Sequence, residues 1–291
     1  MNIQCVKQYD LGLKAVTVKT VPLTLKNGRK GRLFLYSESG GTDPAGMHFR
    51  FTDGTFKMAA FDDDGNRLWC RELNRSVLVG TWFCPLVSFD LDDDGVTEIY
   101  FVNNLSPDLP FTGVTRVLEK VDPDTGEALG KIRFPIPTWD EKIAWCYRFS
   151  LLCGYDNGKP ILVTAQGTYG KLALQGHVGP DMETIWETLI KPEDGSCASH
   201  LSPVLDFNDD GIDEIFWGEH LLSIADGSEV MGFDKDTWHG HSDLVVPFID
   251  FDTGKKYVFC CRETDVENSP RLVVYNADGT RAAESVFLPD G

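Results

Sequence analysis

Short apolar runs separated by Gly, Asp, Asn and Pro set the texture of this chain. GRLFLYSES, TEIYFVNN, GKPILVTAQG, KKYVFCCRE and RLVVYNADG are each rich in aliphatic and aromatic residues and bounded by turn formers. That composition and length belong to strands buried on one or both faces. No segment keeps its apolar residues at a helical period over three full turns. METIWETLI comes nearest, and its alternation reads equally well as a strand. The pattern predicts an all-β chain.

A hairpin signal recurs. It stands as FDDDGNRLWCREL from 61, VDPDTGEALGKIRF from 121, QGHVGPDMETIWETL from 175 (with a longer turn), IADGSEVMGF from 224 and YNADGTRAAESVF from 275. Asp-Gly supplies the positive φ of a tight turn. A period of about 50 residues marks a repeat architecture, each unit reading as the outer hairpin of a four-stranded sheet. A second motif alternates with it: an acidic loop between two apolar strands, at Asp90, at Asp206 and, in a worn copy, at Asp250. Together they predict a β-propeller, one domain over residues 1–291 with about five four-stranded antiparallel blades. It is either a small ring or an incomplete portion of a larger one. A solenoid or a sandwich is the alternative.

The acidic loops carry candidate chemistry. Asp90, Asp92 and Asp94 precede Gly95 and Glu98; Asp206, Asn208 and Asp210 precede Gly211 and Glu214. Oxygen ligands at alternate positions, a glycine and a closing carboxylate suit Ca2+ wrapped by a short turn. Flanking strands and the lack of a twelfth-position Glu distinguish the loops from EF-hands. An Asp/Gly-rich turn without metal is the plainer reading. The Asp250 copy has lost two carboxylates and predicts a simple turn.

Charge narrows the partners. The 291 residues carry 45 acidic and 27 basic side chains, a net charge of -18. This argues against nucleic acid and anionic membranes, which need clustered Lys and Arg. The start, MNIQCVKQYDLG, lacks the basic and apolar regions of a signal peptide. A cytoplasmic monomer is the expectation, or a secreted protein if a leader has been removed. Eight cysteines without CxxC spacing, most within apolar runs, read as buried free thiols.

The richest ligand chemistry runs from His200 to Glu263. His200 precedes the Asp206 loop by six residues, Trp238-His239-Gly240-His241-Ser242-Asp243 follows, and Glu263 closes an apolar strand. Inner strands of a propeller line its channel, so His200, His241, Asp243 and Glu263 are expected to converge as metal ligands. On ligand type alone, two His suit Mn or Zn better than calcium. Trp238 and His239 stand beside the cluster as the candidate substrate-contacting pair, Trp238 by stacking on a sugar. Trp82, Trp139 and Trp145 are expected to pack between blades, and His48, His177 and His220 to be structural or on the surface.

The order SH, five residues, DFNDDGIDEI, then GHSD, then a strand ending in Glu resembles the family 11 rhamnogalacturonan lyases. The resemblance extends through FDDDGNRLWCREL, CPLVSFDLDDDGVTEIYF, KVDPDTGEALGKIRF, YRFSLLCGYDNGKPILVTAQGTYGK and ETIWETL, roughly residues 50 to 265. It implies an eight-bladed propeller holding several calcium ions. It also implies metal-assisted β-elimination in rhamnogalacturonan I, an acidic polysaccharide of pectin. By position, His200, His241, Asp243 and Glu263 match the family's metal-associated cluster. Arg148, Tyr169 and Lys171 match cleft-lining groups, Lys171 standing for an Arg, and are the catalytic candidates. Ser242 replaces the commoner Gly of GHGD, Pro247 stands where small residues are usual, and the family's propeller takes a longer chain. The other reading is a non-catalytic calcium-stabilised propeller that binds carbohydrate or a protein partner.

Overall fold

A computed structural model of the chain describes residues 4–41, 53–106, 115–134, 148–168, 170–191, 198–234, 238, 240–263 and 271–286. Its strands form five four-stranded antiparallel sheets, each a simple meander in chain order. The first sheet is β1 (Thr17–Thr24), β2 (Lys30–Ser37), β3 (Lys57–Asp62) and β4 (Arg67–Glu72). The second is β5 (Leu86–Phe89), β6 (Glu98–Asn104), β7 (Arg116–Val121) and β8 (Ala128–Arg133). The third is β9 (Phe149–Asp156), β10 (Lys159–Gln166), β11 (Leu172–Val178) and β12 (Glu183–Ile190). The fourth is β13 (Val204–Leu205), β14 (Glu214–Trp217), β15 (His220–Ser223) and β16 (Glu229–Gly232). The fifth is β17 (Ser242–Ile249), β18 (Lys256–Arg262), β19 (Arg271–Asn276) and β20 (Arg281–Val286). A single 3-10 turn, Lys26–Gly28, is the only helical element among the described residues. The fold is all-β, and the sheets are propeller blades.

The five hairpin signals fall at the junctions of third and fourth strands, and METIWETLI contributes β12. The acidic loops join first to second strands, at the opposite end of each sheet from the first strand's start.

The described residues divide into two compact units. One holds the first two sheets with residues 149–151 and 179–182; the other holds the rest of the third sheet with the fourth and fifth. In the first unit Leu33, Leu35, Met58 and Ala60 pack on Ile99 and Phe101. The far face of the first sheet, Tyr36, Ala59 and Phe61, is covered by Tyr9, Leu11 and Leu13. In the second unit Val163, Leu174 and Trp186 meet Ile215 and Leu222, and Phe216 and Leu221 meet Val245, Val258 and Val273. A sheet covered on both faces needs apolar residues on both, so β6 is buried at every position rather than alternating. Outer strands such as β8 alternate toward solvent.

One contact repeats between neighbouring blades of the same unit. Trp69 on β4 donates its indole N–H to Pro123 O at 2.9 Å, in the β7–β8 turn. Trp186 on β12 donates to Ile224 O at 2.9 Å, in the β15–β16 turn. The cysteines partly depart from expectation. Cys84 and Cys260 are buried thiols and Cys153 and Cys261 half-buried, but Cys5 and Cys70 are exposed, Cys70 because it lies on an outer strand. Cys146 and Cys197, with His48, Trp139 and Trp145, lie outside the described residues.

The indole contact makes one turn glycine costlier to replace than another. Gly158, at φ +82, has open space where a Cβ would stand, whereas at Gly227, φ +69, a Cβ would lie 2.5 Å from the Trp186 ring and from Thr188 Oγ1. Gly158→Ala is expected to cost about 1–2 kcal/mol from the backbone conformation. Gly227→Ala is expected to lose roughly 1–3 kcal/mol more through overpacking. Urea unfolding of both variants checks this; equal losses would mean that Trp186 yields freely.

Candidate metal and substrate site

The candidate site is built at the ends of first and second strands in the second unit. Arg148 immediately precedes β9, Lys171 precedes β11, His200 lies four residues before β13, and His241 immediately precedes β17. In an antiparallel meander the start of the first strand and the end of the second lie side by side. Gly167 N, just past β10, accordingly donates to Arg148 O at 2.9 Å, and Glu263 N, just past β18, donates to His241 O at 3.2 Å.

A β-bulge places the acidic member. Ser242 pairs with Arg262 and Leu244 with Cys261, so Asp243 is an extra residue in β17. The bulge re-aims Asp243, and its carbonyl accepts the N–H of His200 at 3.3 Å. Below it lies a buried charged network. Ser242 Oγ donates to Glu219 Oε1 at 2.6 Å. Arg262 grips Glu219 through Nε at 3.0 Å and Nη2 at 2.6 Å. Tyr275 OH donates to Asp234 Oδ2 at 2.7 Å, and Arg262 Nη2 reaches the same carboxylate at 3.1 Å. Glu219 and Arg262 are fully buried. Removing one partner of such a pair strands a buried charge, so the network fixes the bulge.

The imidazoles of His200 and His241 meet edge to face, with Nε2 atoms 3.2 Å apart. Asp243 Oδ1 stands 3.6 Å from each Nε2. Donors on a shared ion with bonds of about 2.1–2.4 Å are spaced about 3.0–3.8 Å apart, so this triangle suits a divalent cation. His241 is buried and its Nδ1 faces Ala198 O, so Nδ1 carries the proton and Nε2 offers a lone pair. His200 differs. Arg148 Nη1, a donor only, lies 3.1 Å from its Nδ1. Nδ1 must accept, leaving the His200 proton on Nε2, inside the triangle. A bound ion needs that proton moved to Nδ1. Metal at His200 and the Arg148 contact therefore exclude each other.

Glu263 is exposed, and its carboxylate stands outside the group formed by His200, His241 and Asp243. Trp238 departs from expectation. It is buried, and the Arg262 guanidinium covers its ring at 4.0 Å from the centroid. The ring packs instead of offering a face to a sugar, because Arg262 needs a cation–π partner where water is excluded. Lys171 is half-buried. Tyr169 and His239 lie outside the described residues. His177 is structural, held between Thr164 Oγ1 at 2.9 Å and Thr184 Oγ1 at 3.1 Å. His220 is buried on β15.

Both acidic loops fold alike. Asp90 Oδ1 accepts from Asp94 N at 3.0 Å and Oδ2 from Gly95 N at 2.8 Å; Asp206 Oδ1 accepts from Asp210 N at 3.0 Å and Oδ2 from Gly211 N at 2.9 Å. The carboxylates of Asp90, Asp92 and Asp94 gather closely enough for one ion. The closing residues Glu98 and Glu214 are buried, and burial raises both above the ordinary carboxylate value. At Asp250 the carboxylate instead caps its own turn, accepting from Asp252 N at 2.9 Å and Thr253 Oγ1 at 2.7 Å. Sequence reasoning missed Glu219, Arg262 and Lys120. A single Arg inside the apolar run YVFCCRE was the available signal for a buried pair.

Burial and the neighbouring His200 lower the pKa of His241 from 6.5 to about 4. The unfolded chain then binds the extra proton between those values, so stability falls as pH drops from about 6.5 to about 4 and is constant above that window. In EDTA, His241→Asn, which can still donate to Ala198 O, should flatten this fall by roughly 2 kcal/mol. Glu98 and Glu214 act with the opposite sign, so the variant-minus-parent difference in urea unfolding against pH is the measurement. No difference would mean that His241 titrates normally.

No family model matches the chain, and no curated protein does. Among solved structures it is similar to the exotype rhamnogalacturonan lyase YesX, with a TM-score of 0.75 at 20% identity over 94% of this chain and 50% of that one. It is similar to a Bacillus licheniformis rhamnogalacturonan lyase of family PL11, with a TM-score of 0.77 at 20% identity over 93% of this chain and 50% of that one. Rhamnogalacturonan lyase YesW gives a TM-score of 0.71 at 17% identity, over 96% of this chain and 60% of that one. The chain thus spans about half the length of the first two. At these identities the likeness is one of fold: the five sheets resemble part of the rhamnogalacturonan lyase propeller.

Proposed function

We propose that the chain is a polysaccharide lyase-like protein that acts on rhamnogalacturonan I by metal-assisted β-elimination. The observation that supports the reading is the His200–His241–Asp243 triangle with Arg148 beside it, a ligand set that packing does not require. His200, His241 and Asp243 would hold a divalent ion, Ca2+ by resemblance. When bound, it would draw charge from a uronate carboxylate and acidify the proton on C5. Arg148, whose Nη1 lies beside His200, would pair with that carboxylate in the bidentate manner of a guanidinium. Lys171 adds positive charge at the same strand ends, offsetting the repulsion a chain of net charge -18 exerts on a polyanion. At the Asp206 loop, Ca2+ would serve stability. The second reading, a calcium-stabilised propeller that binds carbohydrate without cleaving it, is favoured by the exposed position of Glu263 outside the triangle.

Incubation with rhamnogalacturonan I and calcium should raise the ultraviolet absorbance of an unsaturated uronate product, and EDTA should abolish the rise. Binding without absorbance change would favour the second reading. Arg148→Met removes the competitor at His200 Nδ1, so it should tighten metal binding about tenfold, the worth of one charge-assisted hydrogen bond, while weakening substrate binding. Calorimetric titration measures both; unchanged metal affinity would show that Arg148 does not oppose the ion.

A further inference from the structure

We propose that the Asp90 loop takes no divalent cation, because Lys120 already serves as its cation. This rests on neither the lyase reading nor the histidine cluster. The Asp90 and Asp206 loops share a sequence plan, the same hydrogen bonds to the first Asp, and a left-handed residue at the fourth position, Asp93 at φ 58 and Asp209 at φ 64. They differ in what stands over the later ligands. In the Asp90 loop, Lys120 Nζ lies 3.1 Å from Asp92 Oδ2 and 3.0 Å from Glu98 Oε1. Its side chain is only 5% exposed. Asp92 and Glu98 are the third and ninth positions of the loop. Tyr100 OH donates to the other Glu98 oxygen at 3.1 Å, and Lys120 Nζ also reaches Pro180 O at 3.4 Å.

The register identifies the equivalent residue in the fourth sheet. Ile99 pairs with Val121 and Tyr100 with Lys120; Ile215 pairs with Leu222 and Phe216 with Leu221. Leu221 therefore stands where Lys120 stands, and among the described residues no ammonium lies over Asn208 or Glu214 of the Asp206 loop. Glu214 accepts the N–H of Phe207 at 2.7 Å instead. The lysine near that loop, Lys256, contacts Phe207 O at 2.7 Å and the solvent-facing Asp209 at 2.6 Å, neither of them a carboxylate ligand of the loop.

An ion within about 2.3–2.6 Å of Asp92 and Glu98 would sit against a buried ammonium that shares those oxygens. Two cations at such a distance repel strongly, most of all beside Glu98, where the ammonium and carboxylate are shielded from water. Lys120 has no cheap alternative, since withdrawing it from both carboxylates strands a buried charge. The sequence alone suggests two like calcium loops. The geometry gives one of them an internal cation on Asp92 Oδ2 and Glu98 Oε1, while Asp92 Oδ1 stays buried without a hydrogen-bond partner among the described residues.

The test is calcium stoichiometry on the full chain, by flow dialysis, with terbium luminescence sensitised by Tyr100 reporting occupancy of the Asp90 loop. Asp90→Asn should leave the calcium stoichiometry of the parent unchanged, and the parent should show no tyrosine-sensitised terbium signal from this loop. Lys120→Met should gain one calcium equivalent and the terbium signal, and Lys120→Met with Asp92→Asn should lose both. Lys120→Leu, which copies the fourth sheet, is the second variant if Lys120→Met folds poorly by circular dichroism. Loss of one equivalent on Asp90→Asn would overturn the proposal by showing that the ion and Lys120 coexist. So would a folded Lys120→Met or Lys120→Leu that gains no calcium. If neither Lys120 variant folds, Asp90→Asn on the parent still decides.

Discussion

A four-stranded sheet with two apolar faces cannot stand alone in water, and most of this structure follows from that constraint. β6 is buried at all seven positions; leaving either face open would expose several large side chains, each worth roughly 1.5–3 kcal/mol when buried. Within each unit the answer is another sheet, and on the far face of the first sheet it is the segment carrying Tyr9, Leu11 and Leu13. Face-to-face packing brings the strand ends of neighbouring sheets together. Side chains far apart in sequence, such as His200 and His241, then meet without any loop having to carry them.

The same packing accounts for the buried charges. Arg262 lies on a central strand, where its guanidinium has no route to water. Glu219, Asp234, Tyr275 and the Trp238 ring surround it because a buried charge is tolerated only when paired and hydrogen-bonded. The network sits directly under the bulge that aims Asp243, so its rigidity passes to the site through Ser242.

Much of the fold was legible in the sequence because its signals are local. Asp-Gly turns, short apolar runs and acidic loops each report on a few neighbouring residues, and their spacing gave the number and order of the hairpins. The meeting of His200, His241 and Asp243 was legible through topology: residues at equivalent ends of adjacent blades converge. Trp238 was not, because a sequence shows that an aromatic is present but not which cation covers it. Lys120 was hidden for a related reason. It lies on β7, 22 positions after Glu98, and only strand register brings it over the acidic loop. Arg148 entered only as a cleft-lining group implied by resemblance; its contact with His200 Nδ1, and so its competition with a metal there, was not legible because it depends on which imidazole nitrogen the guanidinium faces.

The bulge at Asp243 has a consequence for how such a site arises and disappears. In a regular strand, His241 and Asp243 would share one face. One extra residue breaks that alternation at Asp243 while the ladder from Leu244 onward keeps its pairing. Deleting that one residue would remove the Asp243 carboxylate from beside the two imidazoles and leave the pairing from Leu244 onward, and so the blade's core, in place. Packing and the cluster at the strand end are therefore separable by a change of one position.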